Sequence, residues 1–247
     1  MSARETWIVL GASSSIGREF ARVAAAKGAD IVLAGRDTDD LARTAADLKI
    51  ASGVDVEVTP FDATDFASHA GVAAHWGARQ GTLNAMLLFG LMPEQKEMDA
   101  NPKTLLDCVG ATYTGAISIL HHLAPQFEER KSGTIIGVGS VAGDRGRLKN
   151  YVYGSAKAGL HTYLSGLRNR LARSGVHVMT VKPGFVDTAM TWGAPGMFLV
   201  ASPESVAQSC FAAAKKGRDI CYTPSFWRWI MLIIRSIPER IFKRLSI

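Results

Sequence analysis

Two side chains with the chemistry of proton transfer stand four residues apart in the stretch Tyr153-Gly-Ser-Ala-Lys157. A helix would place them on one face, about 6 Å apart along its axis. A tyrosine hydroxyl has a pKa of about 10 in water, and a neighbouring ammonium group favours the phenolate. Tyr153 and Lys157 therefore predict an acid and base that can be tuned toward neutral pH.

Ser140 ends the apolar run GTIIGVGS, shortly before this pair. Its hydroxyl can bind a carbonyl or alcohol oxygen, orient it for hydride exchange and support charge that develops there. An isolated Tyr-x-x-x-Lys is also a common helix pattern with no catalytic meaning. Its combination with a serine at a strand end and a glycine-rich turn favours the catalytic interpretation.

That glycine-rich turn, GASSSIG, follows the first apolar strand and opens a helix. Gly11 permits a tight exit from the strand, Gly17 permits close packing, and the free N–H groups of the helix can bind a pyrophosphate. Ser15 replaces a further glycine and can donate its hydroxyl instead. An ordinary strand-to-helix connection is the alternative. The residues predicted to border the nucleotide are Gly11, Ser13, Ser14, Ser15, Ile16 and Gly17.

The ends of the next two strands refine the cofactor prediction. A site for NAD usually has an acid at the end of the second strand, whereas this chain has Arg36, whose donors can bind a 2′-phosphate. Arg36 therefore favours NADP(H) over NAD(H), unless it merely caps a turn with Asp37. Asp62 follows the third strand and could accept from an adenine amino group; an N-cap role for Asp62 or Asp65 is the alternative.

Apolar runs that alternate with helical patterns predict the frame for these residues. Strands are expected at TWIVLG, DIVLA, DVEVTP, LNAMLL, GTIIGVG, HVMTV and DICYT, and helices at 16–27, 39–52, 65–76, 102–130, 151–174 and 203–216. This alternation is typical of a single α/β domain, a doubly wound, Rossmann-like parallel sheet with helices on both faces. Ligands of such sheets bind at the carboxyl ends of the strands.

Charge and cysteine content restrict the function classes. The formal net charge is +6, and the residues from Lys215 onward hold eight basic and two acidic side chains, so the excess lies at the C-terminus. This distribution argues against a nucleic-acid partner. Cys108, Cys210 and Cys221 lack metal-ligand and CxxC spacing, so we predict packing roles and no metal site. With no secretory signal pattern at the N-terminus, a cytoplasmic location is expected.

The C-terminal residues 224–247 are predicted to form a basic amphipathic tail after a domain of residues 1–223. The apolar run 230–234 is too short to cross a bilayer, and Pro238 separates it from a second short helix. Such helices can lie in the headgroup layer, which would place the protein at the inner face of the membrane. Packing across a subunit interface, or over the substrate pocket, is the alternative.

From residue 5 to residue 223 the sequence resembles the short-chain dehydrogenase/reductase family. The resemblance rests on Gly11, Gly17, Asp62, Ser140, Tyr153, Lys157 and the run Pro183-Gly-Phe-Val-Asp-Thr188. It implies that Tyr153 is the acid and base, Ser140 positions the substrate oxygen, and Lys157 binds the nicotinamide ribose and lowers the Tyr153 pKa. It also implies that Pro183, Gly184, Val186 and Thr188 hold the nicotinamide, that the substrate is a small carbonyl compound, and that the protein is a homodimer or homotetramer.

The chain also departs from the family pattern. Leu88-Phe89-Gly90 stands where the family has Asn-Ala-Gly, so Phe89 and Gly90 are expected beside the cofactor without the asparagine. Thr112 takes the place of the asparagine that helps to hold a water in the proton relay, and could replace it only in part. These losses keep open a weakly catalytic nucleotide sensor or scaffold. Residues 190–201, rich in glycine, could form a lid.

The tail, with FGLMPE and VYGSAKAGL, is similar to one subgroup of the family, the decaprenylphosphoryl-keto-ribose reductases. Their substrate is a keto sugar on a polyprenyl phosphate. The resemblance implies a lipid-linked carbonyl substrate, with other large apolar carbonyl compounds as the alternative.

Overall fold

Seven parallel strands form the centre of the protein in the computed structural model, which describes residues 4–190 and 199–245. In chain order they are β1 (Glu5–Leu10), β2 (Asp30–Gly35), β3 (Val56–Pro60), β4 (Thr82–Leu87), β5 (Thr134–Val138), β6 (His177–Pro183) and β7 (Ile220–Thr223). Their order across the sheet is β3-β2-β1-β4-β5-β6-β7. The order changes direction between β1 and β4, where a crevice opens at the carboxyl ends of the strands.

Helices cover both faces of this sheet, which confirms the predicted doubly wound fold. One face packs against Phe20, Leu41 and Phe211, and the other against Trp76, Phe127 and Leu164. The helices are α1 (Ser15–Ala25), α2 (Thr38–Ser52), α3 (His69–Gly77), α4 (Gln95–Ala100), α5 (Pro102–Val109), α6 (Gly115–Arg130), α7 (Tyr151–Leu171), α8 (Pro203–Lys215), α9 (Trp227–Ser236) and α10 (Glu239–Phe242).

Two helix predictions were wrong. The helix expected over 102–130 is divided into α5 and α6 by a π-helical segment, Gly110–Thr114, and α4 precedes it unpredicted. At this break α6 approaches the carbonyl of Ala63 so closely that a Cβ on Gly115 would lie 2.1 Å from its oxygen. The helix expected from Asp65 begins at His69, because the residues before it form turns in which Asp62 binds Thr64.

The tail forms two short helices, as predicted, and they pack against the rest of the protein. Trp227, Met231 and Phe242 are buried, whereas Trp229 and Ile233 are 63% and 67% exposed. No helix in the described part of the chain has both the length and the hydropathy needed to cross a membrane. The boundary between a domain of residues 1–223 and a tail of residues 224–247 stays a prediction.

Candidate active site

The turn after β1 has the tight geometry that its glycines predict. Gly11 has a φ of +86°, and an added Cβ would lie 3.0 Å from the backbone nitrogen of Phe89, which follows β4. A Cβ on Gly17 would lie 2.9 Å from Gly11 O. Both positions therefore require glycine, and the turn sits at the crevice between β1 and β4.

The three serines of this turn have different surroundings. Ser14 is the N-cap of α1, and its Oγ accepts from the N–H of Gly17 at 3.1 Å. Ser13 is exposed on the side of Gly35, at the end of β2. Ser15 lines an open cleft of about 520 Å³ together with Asp187, Thr188, Ala189 and Pro203. The structure thus brings Ser15 and Thr188 to one cleft.

Ile16, the remaining residue predicted for this turn, packs its side chain against the core on one face of the sheet. Its backbone lies in the first turn of α1, where N–H groups lack helical partners. Any contact of Ile16 with a nucleotide would therefore come from its backbone.

Arg36 and Asp62 lie near each other beyond the ends of β2 and β3. Hydrogen bonds from the backbone and side chain of Thr64 lower the pKa of Asp62, and the charge of Arg36 lowers it further. Arg36 is exposed, and within residues 4–190 and 199–245 it has no ion pair. The N-cap of α2 is Asp37, and that of α3 is Ser68, so N-cap roles for Asp62 and Asp65 are wrong.

Gly90 and Thr112 lie beside Lys157. A Cβ on Gly90 would lie 3.2 Å from Thr112 Oγ1 and 3.6 Å from Lys157 Nζ. Thr112 is fully buried in the π-helical segment, and its hydroxyl accepts from the N–H of Leu91 at 3.0 Å and donates to the Leu91 carbonyl at 3.2 Å. The threonine at the position of the family asparagine therefore has its hydroxyl bound to a neighbouring loop.

Phe89 directly precedes Gly90 and packs against the turn after β1. Its ring lies 5.4 Å from that of Phe61, centroid to centroid, and its backbone touches the Gly11 turn. Phe89 and Gly90 thus join the turn after β1 to Thr112 and Lys157, and their contact with a cofactor stays a prediction.

Ser140, Tyr153 and Lys157 come together at the end of β5. Ser140 begins a short 3-10 turn, Val141–Asp144, and its side chain accepts from the N–H of Ala142 at 3.1 Å. Tyr153 and Lys157 are buried on one face of α7, with Lys157 Nζ 5.8 Å from the tyrosine ring centroid. The Nζ group donates to the carbonyl of Val138, the last residue of β5, at 2.9 Å.

Burial dominates the electrostatics of this pair. It raises the pKa of Tyr153 above its ordinary value, and a hydrogen bond with the Ser140 side chain opposes that rise. Burial also lowers the pKa of Lys157 to about 8. The protein groups alone therefore do not lower the Tyr153 pKa in the way that the helical spacing predicts, because desolvation outweighs the hydrogen bond with Ser140.

The loop after β6 connects the crevice to the tail. Pro183 ends β6, and Gly184 donates its N–H to Thr223 O at 3.0 Å. A Cβ on Gly184 would lie 1.8 Å from the indole nitrogen of Trp227, so glycine is required for the tail to pack here. Val186 pairs with Ala201. Most of the predicted lid, residues 191–198, lies outside the described residues.

His161 was not predicted, yet it contacts the serine loop directly. Its Nε2 accepts from the backbone N–H of Ser140 at 3.3 Å, and its Nδ1 lies 3.6 Å from Asp144 Oδ1. Asp144 in turn accepts from Lys182 at 2.5 Å and from the Tyr222 hydroxyl at 2.7 Å. Burial and the nearby Lys182 lower the pKa of His161 to about 3, so the ring is neutral and can accept. Its place four residues after Lys157 is the signal that could have identified it.

Cys108, assigned a packing role from the sequence, is buried beside the same group. Its Sγ donates to the carbonyl of Leu91 at 3.2 Å, the carbonyl that also binds Thr112. Burial raises the pKa of the Cys108 thiol, although Thr112 and Lys157 act in the other direction. The thiol is therefore neutral and helps to hold the loop after β4.

Comparisons with known proteins agree with this arrangement. The family described as short chain dehydrogenase matches residues 5–195. The chain is 36% identical over 239 residues to an uncharacterized oxidoreductase of Mycobacterium tuberculosis, and the alignment covers 96% of each chain. It is 32% identical over 243 residues to an uncharacterized oxidoreductase of Streptomyces coelicolor, which covers 97% of this chain and 95% of that protein.

Two solved structures share the fold with bound nucleotides. A short-chain dehydrogenase from Sphingobium yanoikuyae in complex with NADPH is 25% identical, covers 95% of this chain and 97% of its own, and has a TM-score of 0.83. A short-chain dehydrogenase/reductase from Burkholderia phymatum in complex with NAD is 20% identical, covers 93% and 92%, and has a TM-score of 0.82.

Proposed function

The chain belongs to the short-chain dehydrogenase/reductase family and is an NAD(P)-linked oxidoreductase that acts on alcohol and carbonyl groups. From that premise we propose that it is an NADP(H)-dependent reductase of an apolar or lipid-linked ketone. The reverse oxidation of a secondary alcohol uses the same groups. The observation that carries the proposal is the convergence of Ser140, Tyr153 and Lys157 at the end of β5, next to the crevice between β1 and β4.

Each of these residues has a role in the proposed reaction. The Tyr153 hydroxyl gives its proton to the carbonyl oxygen, and the Ser140 hydroxyl binds that oxygen and orients it. Lys157, held by the Val138 carbonyl, supplies positive charge beside the tyrosine and donors for a ribose. Thr112 supports the loop beside them. A bound nicotinamide supplies the hydride.

The residues at the crevice fit a dinucleotide. Gly11 and Gly17 leave no space for a Cβ, which keeps the turn tight and α1 close to it, and the start of α1 offers N–H groups to a pyrophosphate. Ser15 and Thr188 line one cleft, which would hold the pyrophosphate and the nicotinamide half of a cofactor. Exposed Arg36, which forms no ion pair in the described chain, supports a 2′-phosphate and hence NADP(H).

The tail supports an apolar substrate at a membrane surface. Trp229, Leu232 and Ile233 are more than half exposed on α9, among the basic side chains of the C-terminus. Membrane binding is tested by flotation of the full chain with anionic vesicles. We expect Ile233→Glu to weaken it strongly, whereas Ile50→Glu, at an exposed isoleucine on α2, leaves it unchanged. Equal flotation of both variants would favour a subunit interface, which light scattering would detect as a dimer or tetramer.

The reaction is tested with Tyr153→Phe. We expect this variant to lose reduction of every ketone in a panel of apolar ketones, while its affinity for NADPH stays within a few-fold of the unmodified protein. Full turnover in the variant would refute the proposed roles.

A sensor or scaffold that binds nucleotide without chemistry is the second candidate, because the Thr112 hydroxyl is bound to Leu91 and burial raises the Tyr153 pKa. Tight NADPH binding with no hydride transfer would favour it.

A further inference from the structure

Arg147 lies in the loop that joins the Ser140 turn to α7, the helix of Tyr153, and its guanidinium lacks a suitable partner. Its Nη2 group donates to the thioether sulfur of Met231 at 3.1 Å. Its Nε is buried without a hydrogen-bond partner in the described chain. A thioether is a weak acceptor, so the guanidinium is poorly compensated for the water that it has lost.

A second arginine of the same loop, two residues earlier, has a complete set of hydrogen-bond and ion-pair partners. Arg145 donates to three backbone carbonyl groups at the end of α9, forms an ion pair with Glu239 at 2.8 Å, and lies 3.8 Å above the ring of Phe242. Arg145 therefore docks the tail against the serine loop. The tail does not need Arg147 for that purpose.

No acidic side chain in the described chain forms an ion pair with Arg147, and the residues 191–198, TWGAPGMF, contain none. The carboxylate whose charge acts on Arg147 is that of Asp144, which already accepts hydrogen bonds from Lys182 and Tyr222. Burial lowers the pKa of Arg147, and Asp144 only partly opposes that effect. A partly buried positive charge without an ion-pair partner favours the binding of an anion.

The contacts of Arg147 indicate which molecule would carry that anion, because they lie next to the loop of Ser140. Met231, its partner, packs with Val141, the residue directly after Ser140. The same loop has a second buried polar atom without a partner in the described chain, Asn150 Oδ1, at the start of α7. Along the chain, the unmatched groups thus lie between the serine and the tyrosine of the proposed reaction, and Arg147 contacts the tail through Met231.

We propose that Arg147 binds an oxyanion, a phosphate or carboxylate group, carried by the carbonyl substrate. This inference rests on the proposed ketone reduction and narrows its substrate class to anionic carbonyl compounds.

The test compares two probes of nearly equal size, 4-acetylbenzoate and 4-acetylbenzamide, which differ in charge. Calorimetry measures their binding to the full chain saturated with NADP⁺, and steady-state kinetics measures their reduction. Three variants each remove one positive charge from the same loop: Arg147→Gln, Arg145→Gln and Lys149→Gln. Lys149 is exposed and serves as the matched control.

We expect the protein to prefer the benzoate, and Arg147→Gln to lower that preference about tenfold or more, as loss of a charge-assisted hydrogen bond does. Its melting temperature should equal or exceed that of the unmodified protein, because a poorly paired buried charge is removed. Arg145→Gln should lower the melting temperature and keep the preference, and Lys149→Gln should change neither.

Three results would overturn the inference: no preference for the benzoate in the unmodified protein, an unchanged preference in Arg147→Gln, or a fall in its melting temperature as large as that of Arg145→Gln. Loss of anionic-vesicle flotation without loss of benzoate preference would assign Arg147 to a lipid headgroup and also overturn it. Because calorimetry needs no turnover, failure of the proposed reduction remains distinguishable: Tyr153→Phe would then leave any activity unchanged.

Discussion

Replacing Lys157 with methionine tests whether the site holds a desolvated amine at the expense of stability. Lys157 is 3% exposed, and its Nζ donates to Val138 O at 2.9 Å. Burial lowers its pKa from an ordinary value of 10.5 to about 8. Folding therefore removes this charged amine from water, and the substitution should abolish turnover while it relieves that penalty.

The magnitude follows from the two pKa values. The difference between 10.5 and about 8 corresponds to about 3 kcal/mol of unfolding free energy. The unfolded chain binds the extra proton between these pH values, so the stability of the unmodified protein rises with pH in this window and falls as pH drops toward 7. Methionine does not titrate, and it leaves the Val138 carbonyl without its donor, a loss of about 1–3 kcal/mol at every pH.

The assay is chemical denaturation of both proteins at pH 7 and at pH 10. Subtracting one protein from the other cancels the titration of all other groups. We expect the stability of Lys157→Met, relative to the unmodified protein, to be about 2–3 kcal/mol more favourable at pH 7 than at pH 10. A difference that is the same at both pH values, within ~0.5 kcal/mol, would refute the view that the buried amine is desolvated.

Three further predictions follow from the site. Arg36→Ala should weaken NADPH binding by about 10-fold to 100-fold in a fluorescence titration and leave NADH binding nearly unchanged; an equal loss for both would remove the 2′-phosphate role. His161→Leu should lower kcat about tenfold, but not in a Ser140→Ala background, because His161 acts through Ser140; additive losses in this double-mutant cycle would contradict that role. Ser14→Ala should lower the unfolding free energy by about 1 kcal/mol through loss of the α1 N-cap, and no change in denaturation would show that the cap is unimportant.

The sheet and most helices were predictable because their signals are local. A buried parallel strand reads as a short apolar run, and a helix reads as a longer periodic segment, so each element is visible in its own residues. The break between α5 and α6 was not predictable in this way. It depends on contact of Gly115 with Ala63 and of Thr112 with Leu91, which the sequence does not place side by side.

Gly11, Phe89 and Ser140 were predictable neighbours for the same reason: each follows one of the adjacent strands β1, β4 and β5, and parallel strands end at one edge. The contacts that support them could not be predicted. His161 meets Asp144 and Lys182 only after α7 packs on β6, and burial then reverses the expected direction of the Tyr153 pKa. Arg145 and Arg147 look alike in the sequence, and only the position of the tail separates their environments.

The proposed hydride transfer is tested most directly with NADPH that carries deuterium at both C4 positions of the nicotinamide. Mass spectrometry of the alcohol formed from an apolar ketone follows the label. We expect one deuterium on the carbinol carbon with the unmodified protein and no product with Tyr153→Phe. An unlabelled alcohol, or equal labelled product from Tyr153→Phe, would contradict it.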